Sequence, residues 1–218
     1  MDQYNKKKHK LIEILLLTLF FPSFIIIFQL QIFVVPMLLF ASITIIFLNK
    51  EQILKNLYPS RFKSYLELLC FDITVISVVF LFMILSDNDF EFFYLSQEGY
   101  SYFIFISLFY LFFSVIPQEI IFRFLFFQRY EFVFGKYHLI FINSLVFSLL
   151  HIIYFDFYLL FLSFFGNILF TINYLKYRSI LLVVIEHYLI GQSIIILGFF
   201  NNFNSSIIKK LYNLLLFN

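Results

Sequence analysis

The chain has 218 residues, of which 62% are hydrophobic and only 13% charged, with a mean hydropathy of +0.95. A water-soluble domain of this size carries about 25% charged residues, so the composition excludes a soluble globular domain. The net charge of +2 is small and scattered along the chain, which gives no footing for nucleic-acid binding, and the single cysteine, Cys70, allows neither an internal disulfide nor a multi-thiolate zinc site.

A helix needs about 17 to 25 largely apolar residues to cross the hydrocarbon of a bilayer. In chain order such segments are Leu11–Phe28, Ile32–Leu48, Leu66–Leu85, Tyr102–Phe127, Leu139–Tyr154, Phe157–Tyr174 and Ile180–Phe200. The predicted fold class is therefore an all-α, polytopic transmembrane helix bundle of about seven spans. Asn204–Phe217, with Ile207, Ile208, Leu211, Leu214 and Leu215 set against Lys209, Lys210 and Asn213, reads as a C-terminal interfacial helix. No repeat is present. The first apolar stretch is long and lacks a small-residue cleavage site, so it is not read as a cleaved signal.

Lys and Arg concentrate in short cytoplasmic loops. Here they cluster in "NKKKHK", at Lys50, Lys55, Arg61 and Lys63, at Arg129 and Lys136, and at Lys176 and Arg178, whereas "SDNDFEFFYLSQEG" is acidic and has none. Alternate loops agree, and predict a multi-pass membrane protein with a cytoplasmic N-terminus.

Each ionisable side chain at the centre of a membrane helix costs about 2.5–3.5 kcal/mol to insert. Several are nonetheless present. At about 1.5 Å per residue, Glu119 lies roughly 15 Å in from Arg129, His151 roughly 20 Å from Lys136 and His187 roughly 13 Å from Arg178. Three helices thus carry polar groups toward one level, the pattern of a buried site facing the bundle interior. Glu119 and Arg123, four residues apart, can also neutralise each other as an intrahelical ion pair. His151 and His187 can each be hydrogen-bonded structural histidines; His9 and His138 sit beside basic surface loops. Glu186 points about 100° away from His187 and is free to pair with another helix or with Arg123. Gly166 reads as a point of close helix packing, and Asp72 as interfacial.

The order of "QEIIFR" (Gln118–Arg123), "FSLLH" (Phe147–His151), "LSFFG" (Leu162–Gly166) and "YRSILLVVIEH" (Tyr177–His187) resembles the CPBP family of intramembrane proteases, which includes CAAX prenyl endopeptidases and bacteriocin-processing and immunity proteins. Its motifs are EExxxR, FxxxH and HxxxN on successive membrane helices, and the likeness covers about Pro117 to Gly198. The resemblance implies a motif core over residues 101–200 and accessory helices over 1–100, within one membrane domain over 1–218. It also implies catalytic positions at Gln118, Glu119, Arg123, His151 and His187, with no cofactor and no metal. His151 would orient the attacking water, His187 would donate to the oxyanion, and Glu119 and Arg123 would occupy the second-Glu and Arg positions. The expected partners are a peptide or protein substrate, lipidated or hydrophobic, and the lipid bilayer.

Two positions depart from the pattern, in a way that looks like a QExxxR variant subgroup. Gln118 replaces the first glutamate, and an amide cannot take a proton from water; Gly191 replaces the motif-three asparagine and removes a side-chain donor. Glu119 substitutes as the base only if its helix is rotated, and Gln192 for the lost amide only under the same condition. Three functions follow. The first is an endopeptidase that activates water with Glu119 and His151; the second is a pseudoprotease acting as a membrane binding or immunity protein. The third is an ion- or proton-handling protein in which Glu119, His151 and His187 form a two-His-one-carboxylate shell.

Overall fold

The structure, a computed structural model, describes residues 2–58, 63–85 and 100–196. Among the described residues it is helical throughout, with no strand. Among the described residues six helices are long and apolar enough to cross a membrane: α1 (Lys7–Ile27), α2 (Gln31–Lys55), α3 (Lys63–Leu81), α4 (Tyr100–Tyr130), α5 (Lys136–Tyr154) and α6 (Phe157–Tyr177). A seventh apolar helix, α7 (Ile180–Ile196), is shorter at 17 residues. The expected extension of this span to Phe200 and the expected interfacial helix over Asn204–Phe217 lie outside the described residues.

Large apolar side chains point outward from the first helices: Phe20 is 73% exposed, Phe40 75% and Phe47 85%. In water such a surface would drive aggregation; in lipid it is the solvated face. The buried residues concentrate instead where α4 to α7 meet, at Val115, Phe122, Phe147, Phe170, Leu182 and Val183. α4 packs between α2 and α7, α7 also packs on α3 and α6, and α5 and α6 form the most extensive helix pair. That pair turns through Phe155, at a φ of 54°, and Asp156, whose carboxylate caps α6 by accepting from the Leu159 N–H at 3.0 Å.

α4 is not a uniform α-helix. Its hydrogen bonds widen to π geometry over Leu111–Val115 and again over Ile120–Leu125, on either side of the single turn Ile116–Glu119. Pro117 accounts for the first of these. Its nitrogen cannot donate to the Phe113 carbonyl and its ring would strike that oxygen, so the preceding turn takes an extra residue and Ile116 N–H bonds to Leu111 O. Pro22 in α1 sits at the same offset beyond a π turn over Leu16–Phe20. Each added residue changes the rotational phase of the helix, which decides where Gln118, Glu119 and Arg123 point.

The basic residues gather at one end of the bundle. Arg129 and Tyr130 at the end of α4 bond to Glu13 near the start of α1, Arg178 pairs with Glu131, and Lys176 and Tyr177 reach Glu67 at the start of α3. At the same end, α7 starts from a cap built by another segment. Ile180 N–H donates to Asn56 O at 2.8 Å and Leu181 N–H to Leu57 O at 3.0 Å, while Ser179 Oγ accepts from Leu182 N–H. These bonds satisfy donors that every helix start leaves open and anchor α7 beside α2.

Candidate active site

The π-flanked turn of α4 places Glu119 in the interior with no exposure. Its carboxylate bridges two cations or donors: Oε2 accepts from Arg123 Nε at 2.7 Å and Oε1 from His187 Nδ1 at 2.7 Å. The first contact is the intrahelical pair expected from the spacing. The second joins α4 to α7 and brings two of the sequence-predicted residues into direct contact.

Arg123 is also fully buried and spends its guanidinium on three helices. Nη1 donates to Asn143 Oδ1 at 2.7 Å and to Thr171 Oγ1 at 3.0 Å, and Nη2 to Asn167 Oδ1 at 2.5 Å. With Glu119, four of its five N–H groups are engaged. Asn167 Nδ2 in turn donates to Asn143 Oδ1 at 2.7 Å, and Asn143 Nδ2 to the Phe122 carbonyl at 3.2 Å. Bonds to a charged group contribute about 1.5–3 kcal/mol each, enough together to offset the insertion cost of the two charges. Sequence reasoning missed Asn143, Asn167 and Thr171. The available signal was their spacing: Asn143 lies two turns before His151, and Asn167 and Thr171 one turn apart, all within apolar helices.

The His187 imidazole is fixed on every side. Phe170 stacks on its face with centroids 4.8 Å apart, while Phe147 at 5.9 Å and Tyr110 at 6.1 Å meet it edge-on. Phe147 also packs on His151 at 4.7 Å, so one phenyl ring separates the two imidazoles. His151 Nδ1 is 2.7 Å from the Phe147 carbonyl of its own helix. A carbonyl only accepts, so Nδ1 carries the hydrogen and Nε2 presents its lone pair away from the backbone. Gln118 is half-buried and donates from Nε2 to Ser114 Oγ at 3.1 Å. Its carbonyl oxygen retains the capacity to accept.

Asp72 is 1% exposed, and neither carboxylate oxygen has a hydrogen-bond partner; its helix, α3, packs against α7. Of the two partners open to Glu186, the structure shows the other helix, as expected: it takes a 2.6 Å bond from Asn173 Nδ2. Gly166 marks no close helix approach, since a Cβ there would meet only Phe170, at 3.6 Å and beyond. Gln192 is buried with both amide atoms unpartnered. The two-His-one-carboxylate shell does not form: His187 turns Nδ1 onto Glu119 and His151 turns Nδ1 onto a carbonyl, and among the described residues no group of three His, Cys, Asp or Glu is arranged around a metal position.

No curated protein and no solved structure matches the chain. Residues 100–191 do match a family model, described as "Rce1-like: Type II CAAX prenyl endopeptidase Rce1-like". That segment runs from the start of α4 to Gly191 and contains Glu119, Arg123, His151 and His187 together with the three buried residues around Arg123. The motif order, the helical bundle and this match converge: the chain is an integral membrane protein whose residues 100–191 are similar to the type II CAAX prenyl endopeptidases.

Proposed function

We propose that the chain hydrolyses a peptide bond in a lipidated or hydrophobic substrate, with α4 to α7 as the catalytic core and α1 to α3 as accessory helices. The observation that carries this reading is the Glu119 carboxylate held between Arg123 and His187, with His151 across the Phe147 ring. In the proposed reaction His151 Nε2 takes a proton from water as the water oxygen bonds to the scissile carbonyl carbon. The carbonyl oxygen becomes negative and accepts from Nε2–H of a doubly protonated His187, whose other N–H is held by Glu119. Collapse breaks the C–N bond, and the departing amine receives the proton from His151. Glu119 thus acts on the reaction through His187, and Gln118 offers its carbonyl to a hydrogen of the water.

The basic end of the bundle supports a cytoplasmic N-terminus: Arg129 pairs with Glu13 near the start of α1, Lys176 with Glu67 at the start of α3, and Arg178 with Glu131 just beyond α4. The test uses proteoliposomes and a farnesylated CAAX peptide with a fluorogenic scissile bond. His151→Ala is expected to lower kcat by about 10²–10⁴; parental turnover in that variant would remove the assignment.

One observation favours a second reading, a pseudoprotease that binds without cleaving: an amide stands at 118, and it is engaged with Ser114. Gln118→Glu separates the two. Loss of an existing activity marks the amide as native to the mechanism, whereas cleavage appearing where the parent has none identifies a binding protein that lost its base.

A further inference from the structure

We propose that the Tyr110 hydroxyl is a second hydrogen-bond donor to the carbonyl oxygen under attack, acting beside His187; this rests on the peptidase reading above. Gly191 is one turn beyond His187, so positions 187 and 191 share one face of α7. A side chain at 191 would therefore stand next to the imidazole. None is present, and the space is filled from another helix. A Cβ built on Gly191 would overlap the Tyr110 hydroxyl outright and lie 2.8 Å from its Cζ and 3.1 Å from Cε1. Real Cβ atoms do not approach so closely, so the tyrosine occupies the volume that any larger residue at 191 would need.

The placement is specific to the hydroxyl end of the ring. Tyr110 immediately precedes the first π turn of α4. Its ring meets His187 edge-on at 6.1 Å and stacks on Tyr188 at 6.3 Å. Tyr188 is itself held by a 2.6 Å hydrogen bond with Ser107. The Tyr110 ring is thereby braced from both sides while its O–H is delivered to the α7 face that carries His187. His187 Nδ1 is committed to Glu119, so in the doubly protonated form of the proposed reaction the donor it offers substrate is Nε2–H. An imidazole N–H and a phenol O–H on one helix face form a two-donor site for developing negative charge. Packing alone would be served as well by phenylalanine, of which this chain has 37; a hydroxyl set against a glycine backbone is not a packing requirement.

The experiment compares the parent, Tyr110→Phe and Glu119→Gln in proteoliposomes. It measures cleavage of the farnesylated CAAX peptide, and the affinities of that uncleaved peptide and of its phosphonamidate analogue, which carries an anionic tetrahedral centre. Tyr110→Phe is expected to lower kcat about 10²–10³-fold with little change in KM and to weaken the analogue far more than the peptide. Structural damage would weaken both ligands alike, so their ratio is the deciding readout. Tyr110→Ala/Gly191→Asn, which sets an amide in the vacated space, is expected to exceed Tyr110→Ala in kcat. If Tyr110→Phe matches the parent in kcat and in that ratio while Glu119→Gln has lost cleavage, the donor role of Tyr110 falls and the peptidase reading stands. A parent that neither cleaves the peptide nor prefers the phosphonamidate overturns both.

Discussion

Arg123→Ala is expected to destabilise the bundle by about 3–5 kcal/mol, the cost of leaving one member of a buried ion pair uncompensated. The substitution strands the Glu119 carboxylate, which has no exposure, and removes the donor that Asn143, Asn167 and Thr171 share. Lysine is no remedy. A single ammonium on a flexible stem cannot reproduce a planar fork that reaches α4, α5 and α6 at once. Removing both charges in Glu119→Leu/Arg123→Leu should cost less than Arg123→Ala alone, since no unpaired charge remains in the low-dielectric interior. Equilibrium unfolding in mixed micelles measures both variants. A loss below about 1 kcal/mol for Arg123→Ala would show that the network is solvated rather than sealed.

Much of this arrangement was readable from local spacing. An i, i+4 carboxylate and guanidinium in an apolar helix have little choice but each other, and Glu119 and Arg123 meet as expected. The apolar run lengths gave the first six spans, because hydrocarbon thickness sets a length that sequence reports directly. Rotational phase was hidden. Two π turns flank Ile116–Glu119, and each adds a residue that a 3.6-residue count does not register, so helical-wheel reasoning could not decide which of Gln118 and Glu119 faces His187. Neutral polar residues were hidden for another reason: Asn143, Asn167 and Thr171 are individually tolerable in a membrane helix and acquire meaning only when the same guanidinium reaches all three. The burial of Asp72 was hidden as well, since a count along α3 does not report its packing against α7. Tyr110 was lost among 15 tyrosines. Its position depends on a glycine 81 residues away, a relation that no local pattern carries.

Glu119→Gln and His187→Ala are each expected to lower kcat on the farnesylated peptide by about 10³–10⁴, and the double variant to be scarcely worse than either single one. The reason is in the bonding at Glu119. One oxygen receives the Arg123 N–H and the other the His187 N–H, both at 2.7 Å, so the site requires acceptors at both ends. Glutamine supplies an acceptor at one end only and turns an NH₂ group toward the other donor. Either Arg123 or His187 is then opposed by a donor in the buried interior, and an imidazole so opposed loses the orientation that Phe170 and Phe147 otherwise complete. Replacing the carboxylate that orients a catalytic histidine with an amide has an effect of this size where the geometry is otherwise kept. If Glu119 acts only through His187, deleting the imidazole removes the same contribution, and the two losses cannot add. Additive losses in a double-mutant cycle would instead assign Glu119 its own contact with the water, making it a base in its own right beside His151.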